Sequence, residues 1–227
     1  MRTFNRTQKD PAFTLIELVV VIAIIATLAA FLFPVLQNML VQAKKTQAKN
    51  DVIQIVTAVN AYYTEYGKYP LATSDGSADT RFGLTLTNEA LFDVLRATGL
   101  GRDTVNALDT SGNVNLNLRR IVFISPPDVK STASPKSGIG TNRQFYDPWG
   151  STYKIVIDGN YDNQITTNPY TDTDGSAGAS PLRIGVIAYS YGQNGAVGGG
   201  AAASASFSKE SGTGGNYKSS GDVLSWQ

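Results

Sequence analysis

One apolar run constrains this chain more than any other feature. From Leu18 to Phe33 it carries no charge and a single polar side chain, Thr27. Extended outward to Phe13 and Leu36, the run reaches the roughly 20 residues that a helix needs to cross the hydrocarbon core of a bilayer. A segment of that kind has to be covered by lipid or by other protein. Ahead of it, residues 1–12 hold Arg2, Arg6 and Lys9 against Asp10, a net charge of +2. A short basic start before an apolar run is a targeting or topology signal. It predicts that the N-terminus stays in the cytoplasm while the rest crosses outward. Lys44, Lys45 and Lys49, beyond the far end, are expected to form a solvated helix face.

Glu17 does not fit a plain span. A carboxylate in the membrane part of a helix costs about 2–3 kcal/mol, less near the interface. Three readings compete. In a cleaved secretory signal, the basic start and the small residues near Ala29 and Ala30 have a purpose. The apolar part is long for such a signal, however, and the helical pattern continues from Ala43 to Tyr66. A simple single-pass anchor accounts for the hydrophobicity and leaves Glu17 without a purpose. The third reading gives Glu17 a partner.

"AFTLIELVVVIAIIA" resembles the N-terminus of type IV pilin-like proteins, the pilins and the pseudopilins of type II secretion. The resemblance implies that a membrane prepilin peptidase cuts between Ala12 and Phe13, where Ala12 stands in place of the family's usual Gly. It further implies that the new amine on Phe13 is methylated, that Glu17 assists assembly, and that Pro34 kinks the helix. Residues 1–12 would then be a basic leader, 13–36 the transmembrane and filament-core helix, and 37–227 an amphipathic helix with a globular extracytoplasmic domain. The chemistry is coherent. Cleavage creates an ammonium on Phe13, and Glu17 of one subunit can neutralise that of the next in an apolar surrounding.

After the membrane part, Ala48, Val52, Ile55, Val59, Tyr62 and Tyr66 recur at steps of three and four, the mark of an amphipathic helix with one buried stripe. Gly67 is the expected stop. "NEALFDVLRAT" (Asn88 to Thr98) reads as a short helix ended by Gly99, and "LATSDGSADT" reads as a loop. Four stretches read as strands. "RRIVFIS" is β-branched. "STYKIVID" puts Tyr153, Ile155 and Ile157 on one face. "LRIGVIAYSYG" is apolar on both faces and so central, and "DVLSW" is a short last strand or an extended end. Helices followed by turn-linked strands, with no βαβ alternation, predict an α+β fold: a long N-terminal helix packed on a small antiparallel sheet.

Two later stretches are similar to elements of major pseudopilins of type II secretion: "YDPWGSTY", and "YSYGQNG" followed at the end by "GDVLSW". "DPWG" also has a plain structural reading. Asp147 caps a turn, Pro148 fixes φ, Gly150 permits the turn, and Trp149 buries its ring. The resemblance implies a calcium ion held near Asp222 and the loop at Asn194. A separate acidic stretch, "DGNYDN", places Asp158, Asn160 and Asp162 at alternate positions as an EF-hand does. Asn163 and Pro169 stand where such a loop needs Gly and Glu, so it reads as a turn. "DTDG" (Asp172 to Gly175) is also read as a turn.

The chain has no Cys and no His, which excludes disulfides, thiol nucleophiles, His-based triads and His/Cys zinc sites. No motif sets a nucleophile beside a base, and no phosphate-cradling loop follows a strand, so no enzyme is expected. A net charge of +1 with no basic aromatic cluster gives no reason to expect nucleic acid as a partner. The expected function is a structural pseudopilin subunit of the inner membrane that assembles into a periplasmic pseudopilus for type II secretion. The alternatives are a type IV pilin of a surface filament for adhesion, motility or DNA uptake, and a membrane-anchored binding module. The expected partners are further copies of the chain, minor pseudopilins, the prepilin peptidase, and an inner-membrane assembly platform with a separate ATPase.

Overall fold

The computed structural model describes residues 14–71, 78–98, 116–166, 168–170, 177–192, 217 and 221–227, apart from the side chains at 34, 35 and 37. Its described elements are helix α1 (Leu15–Tyr66), strand β1 (Thr80–Phe82), helix α2 (Glu89–Arg96), and strands β2 (Gly138–Ile139), β3 (Phe145–Tyr146), β4 (Lys154–Ile157), β5 (Val186–Ser190) and β6 (Val223–Leu224). Residues 1–42 and 43–227 form two compact units.

The first unit contains the start of α1, whose described apolar side chains are exposed from Leu15, at 81%, to Leu40, at 65%. This stretch is long and apolar enough to cross a membrane. Between Leu18 and Phe33 the one polar side chain is satisfied within the helix, because the Thr27 hydroxyl donates to the Ile24 carbonyl at 2.8 Å. The helix runs on through Pro34.

In the second unit the expected stripe is realised. Ala48, Val52, Ile55, Val59 and Tyr62 are fully buried, and Tyr66 packs partly buried beside them. Gly67 ends the helix with φ +68°, a conformation that costs glycine little. Four antiparallel strands form the main sheet in the order β1-β4-β5-β6. β5 is therefore internal, as its two apolar faces predict. Ile155, Ile157, Val186 and Ala188 face the core shared with α1 and α2. Their alternates Val156, Ile187 and Tyr189 face a second cluster closed by Tyr170, Leu182 and Trp226. Each such aliphatic chain contributes about 1.5–3 kcal/mol by leaving water. The β2–β3 hairpin forms a separate two-stranded sheet.

Four expectations need correction. Arg119 to Ser125 contains no strand; it is extended coil whose Phe123 and Ile124 N–H groups donate to the Leu95 carbonyl. Its backbone caps α2 rather than joining a ladder. α2 ends at Arg96, two residues earlier than expected, with Ala97 in the left-handed region at φ 54°; Gly99 lies outside the described residues. The loop read across Thr80 is closed by β1, which pairs with β4. Trp149 packs only partly buried at the edge of the core.

Candidate functional site

The described chain opens on Thr14, and the first turn of α1 is a reciprocal cap. The Thr14 backbone N–H and hydroxyl both donate to Glu17 Oε2 at 2.8 Å, and the Glu17 N–H donates to the Thr14 hydroxyl at 3.3 Å. This is a capping box, written in the sequence as T-L-I-E. The signal was legible, yet only Glu17 of the pair stood out from the apolar run. The cap turns the carboxylate back toward the helix start, beside the residue that follows Phe13. Oε1 makes no hydrogen bond among the described residues. Ala12 and Phe13, the expected cleavage and methylation positions, lie outside those residues, and so does any view of the Pro34 side chain.

A second carboxylate has the opposite surroundings. Asp147, from "DPWG", is fully buried. Its Oδ1 accepts from the N–H groups of Trp149, Gly150 and Ser151 at 2.9, 2.8 and 2.9 Å. Its Oδ2 accepts from the Ser190 hydroxyl at 2.5 Å, which ties the turn to the end of β5. Burial pushes this carboxyl above its ordinary range, while the Ser190 and backbone donors hold it down. Lys154 is nearly buried on the neighbouring strand, with its ammonium 2.9 Å from the Thr152 hydroxyl and 5.3 Å from the centre of the Tyr191 ring. Burial lowers it to about 8, partly offset by the charge of Asp147. Asp51 of α1 accepts from the Tyr153 hydroxyl at 2.7 Å, which fastens helix to sheet.

The C-terminal strand is fastened in the same way. Lys49, expected in solvent, is half-buried and donates to the carbonyls of Leu224, at 2.7 Å, and Gln227. The Trp226 indole donates to the Ala177 carbonyl at 2.7 Å. Asp222 is buried, with Oδ2 accepting from the Tyr170 hydroxyl at 2.8 Å. A Cβ at Gly192 would lie 2.2 Å from the Gly221 carbonyl oxygen, so the chain leaving β5 and the chain entering β6 touch there. Asn194 and Asp172 to Gly175 lie outside the described residues. In "DGNYDN" the Asp158 carboxylate is occupied by the N–H groups of Asp162 and Asn163, as a turn requires. Among the described residues no three Asp or Glu converge as a metal-binding group.

These contacts fasten helix, turn and C-terminal strand to one another. Residues 8–33 match the family described as the prokaryotic N-terminal methylation motif. The chain is 30% identical over 115 residues to a fimbrial protein of Neisseria meningitidis serogroup B, covering 51% of this chain and 63% of that one. It is 33% identical over 105 residues to a fimbrial protein of Pseudomonas aeruginosa, covering 46% of this chain and 64% of that one. The matched part thus spans just under two thirds of these relatives. No solved structure matches the chain. Together with the α+β architecture, these likenesses support a type IV pilin-like family.

Proposed function

We propose that this chain is the structural subunit of a filament, held in the inner membrane by α1 until it assembles. The observation that carries this reading is the start of α1. An exposed apolar helix begins with a carboxylate that its own Thr14 holds next to the expected cut. The prepilin peptidase would cut between Ala12 and Phe13, and the Phe13 amine would be methylated. Glu17 would then neutralise the Phe13 ammonium of the adjoining copy. Two charges that are each costly in an apolar core fix the axial register by meeting. The filament core would be built from apolar helices and its coat from the sheets. Minor subunits, an inner-membrane platform and a separate ATPase would complete the machine.

Within that reading we favour the major pseudopilin of a type II secretion pseudopilus. The support is Asp147 of "DPWG" as a buried hydrogen-bonding hub, and Val223–Leu224 of "GDVLSW" as the last strand. A type IV pilin is the second reading, favoured by relatives that are fimbrial proteins. Calcium at Asp222 and Asn194 is a further proposal. Its support is the contact between Gly192 and Gly221, which brings the chain just before Asn194 beside Asp222. Addition of millimolar calcium should then raise the melting temperature of the detergent-solubilised chain; an unchanged melt contradicts it.

Glu17→Ala tests the filament. The variant should insert in the membrane and yield no filaments, and normal filaments from it would contradict the proposal. Deleting the gene separates the two machines: loss of secreted protein supports the pseudopilus, and loss of surface filaments the pilin.

A further inference from the structure

The C-terminal end of α1 carries two exposed ledges. Successive helical residues are about 100° apart, so Tyr63 and Glu65 fall about 160° apart, on either flank of the stripe that Tyr62 and Tyr66 bury. On the Tyr63 flank three rings follow one another. Tyr63 lies 4.7 Å from Tyr69, and Tyr69 lies 5.5 Å from Tyr161. Tyr161 is held in the left-handed region at φ 59°, where a bulky residue is an outlier. The Asp158 carboxylate imposes this turn, and the Tyr69 N–H donates to the Tyr161 hydroxyl at 3.0 Å. Tyr63 and Tyr161 remain 40% and 39% exposed, and Asp162, next to Tyr161 in the chain, is exposed with its carboxylate accepting from the Asn160 amide and the Gln164 N–H.

On the other flank Arg119 pairs with Glu65. The next residue, Arg120, is exposed and also left-handed, at φ 51°. Leu118, two residues earlier, is 75% exposed. Among the described residues neither Arg120 nor Asp162 makes an ion pair.

We propose that these ledges are the two halves of one contact between copies of the chain. Leu118 and Arg120 of one copy seat on Tyr161, Tyr63 and Asp162 of the next. A guanidinium over a tyrosine ring is attracted by the ring's face, and Asp162 supplies the opposite charge. Leu118 removes apolar surface from water against the rings. Because the two surfaces differ and lie on opposite flanks, the contact is heterologous. Such a contact repeats into an open helical assembly instead of closing as a dimer. The inference rests on the filament reading and assigns the side-to-side contact of its globular units.

The absence of cysteine allows a clean test. Cells would express two full-length chains together, one with Leu118→Cys and one with Tyr161→Cys, and sheared filaments would be oxidised. The expected product is a disulfide-linked dimer containing one chain of each kind. Adding Arg120→Glu at its exposed site should reduce that dimer about tenfold, while Arg120→Lys should preserve most of it. Filaments without the mixed dimer overturn the contact alone. A dimer yield indifferent to Arg120→Glu also overturns it. If the unaltered chain forms no filaments, the filament reading falls and takes the contact with it.

Discussion

The two halves of α1 obey different sequence rules. From Leu18 to Phe33 the helix is apolar on all sides, and its described large side chains are exposed. From Ala43 on, a stripe of apolar residues at steps of three and four is fully buried from Ala48 to Tyr62, while Ile53 and Tyr63 off the stripe stay exposed. One half finds its apolar partner inside its own unit; the other exposes its apolar surface and must find lipid or another copy. Continuous hydrophobicity marks an element whose partner lies elsewhere, and periodic hydrophobicity marks one whose partner is its own sheet.

Substitutions can break this contrast. Ile55→Ala, in the buried stripe, should destabilise the globular unit by about 2–5 kcal/mol. Ile25→Ala, on the exposed half, should leave its melting within about 0.5 kcal/mol of the parent. Equal effects in thermal unfolding would erase the distinction. Next in size is Asp147→Ala. It strands three partly buried N–H groups and the buried Ser190 hydroxyl, at a cost of about 3 kcal/mol. Asp147→Asn keeps an acceptor for the three N–H groups and should lose less. Gly185→Ala follows. A Cβ there would lie 2.1 Å from the Tyr69 hydroxyl oxygen, so Tyr69 must move, at about 1–3 kcal/mol. Because Tyr69 anchors Tyr161, the same variant should weaken the proposed mixed dimer.

The smallest effect is a pH slope. The lowered ionisation of Lys154, to about 8, means that between pH 8 and its unfolded value the unfolded chain binds more protons than the folded one. This group's contribution to stability therefore rises with pH across that window. Below pH 8 the buried ammonium bears its full cost. Lys154→Met should be more stable than the parent at neutral pH, and the gap should narrow as pH rises above 8. Denaturant melts at several pH values would show it, and a gap constant with pH would contradict it.

Most of the fold was legible where one rule dominated. The stripe from Ala48 to Tyr66, the alternation of Tyr153, Ile155 and Ile157, and the two apolar faces of β5 all reflect burial at a fixed period. What stayed hidden depends on tertiary partners. Arg119 to Ser125 has strand composition, yet its N–H groups cap α2. Lys49 looks solvated until the C-terminal carbonyls reach it. Asn88 reads as a helix start, while its amide bridges Phe145 and Tyr153. At the candidate site, Glu17 stood out because its neighbours are apolar. Thr14 did not, although T-L-I-E spells the cap, because a threonine at a helix start attracts no notice.

The filament reading turns on how the chain is processed ahead of the first turn of α1. Mass spectrometry of the mature chain from membranes or filaments tests it most directly. The expected mature chain begins at N-methylated Phe13, leaving Thr14 and Glu17 in place as the cap. A mature chain that retains residues 1–12, or one cut near Ala29 and Ala30, would contradict it.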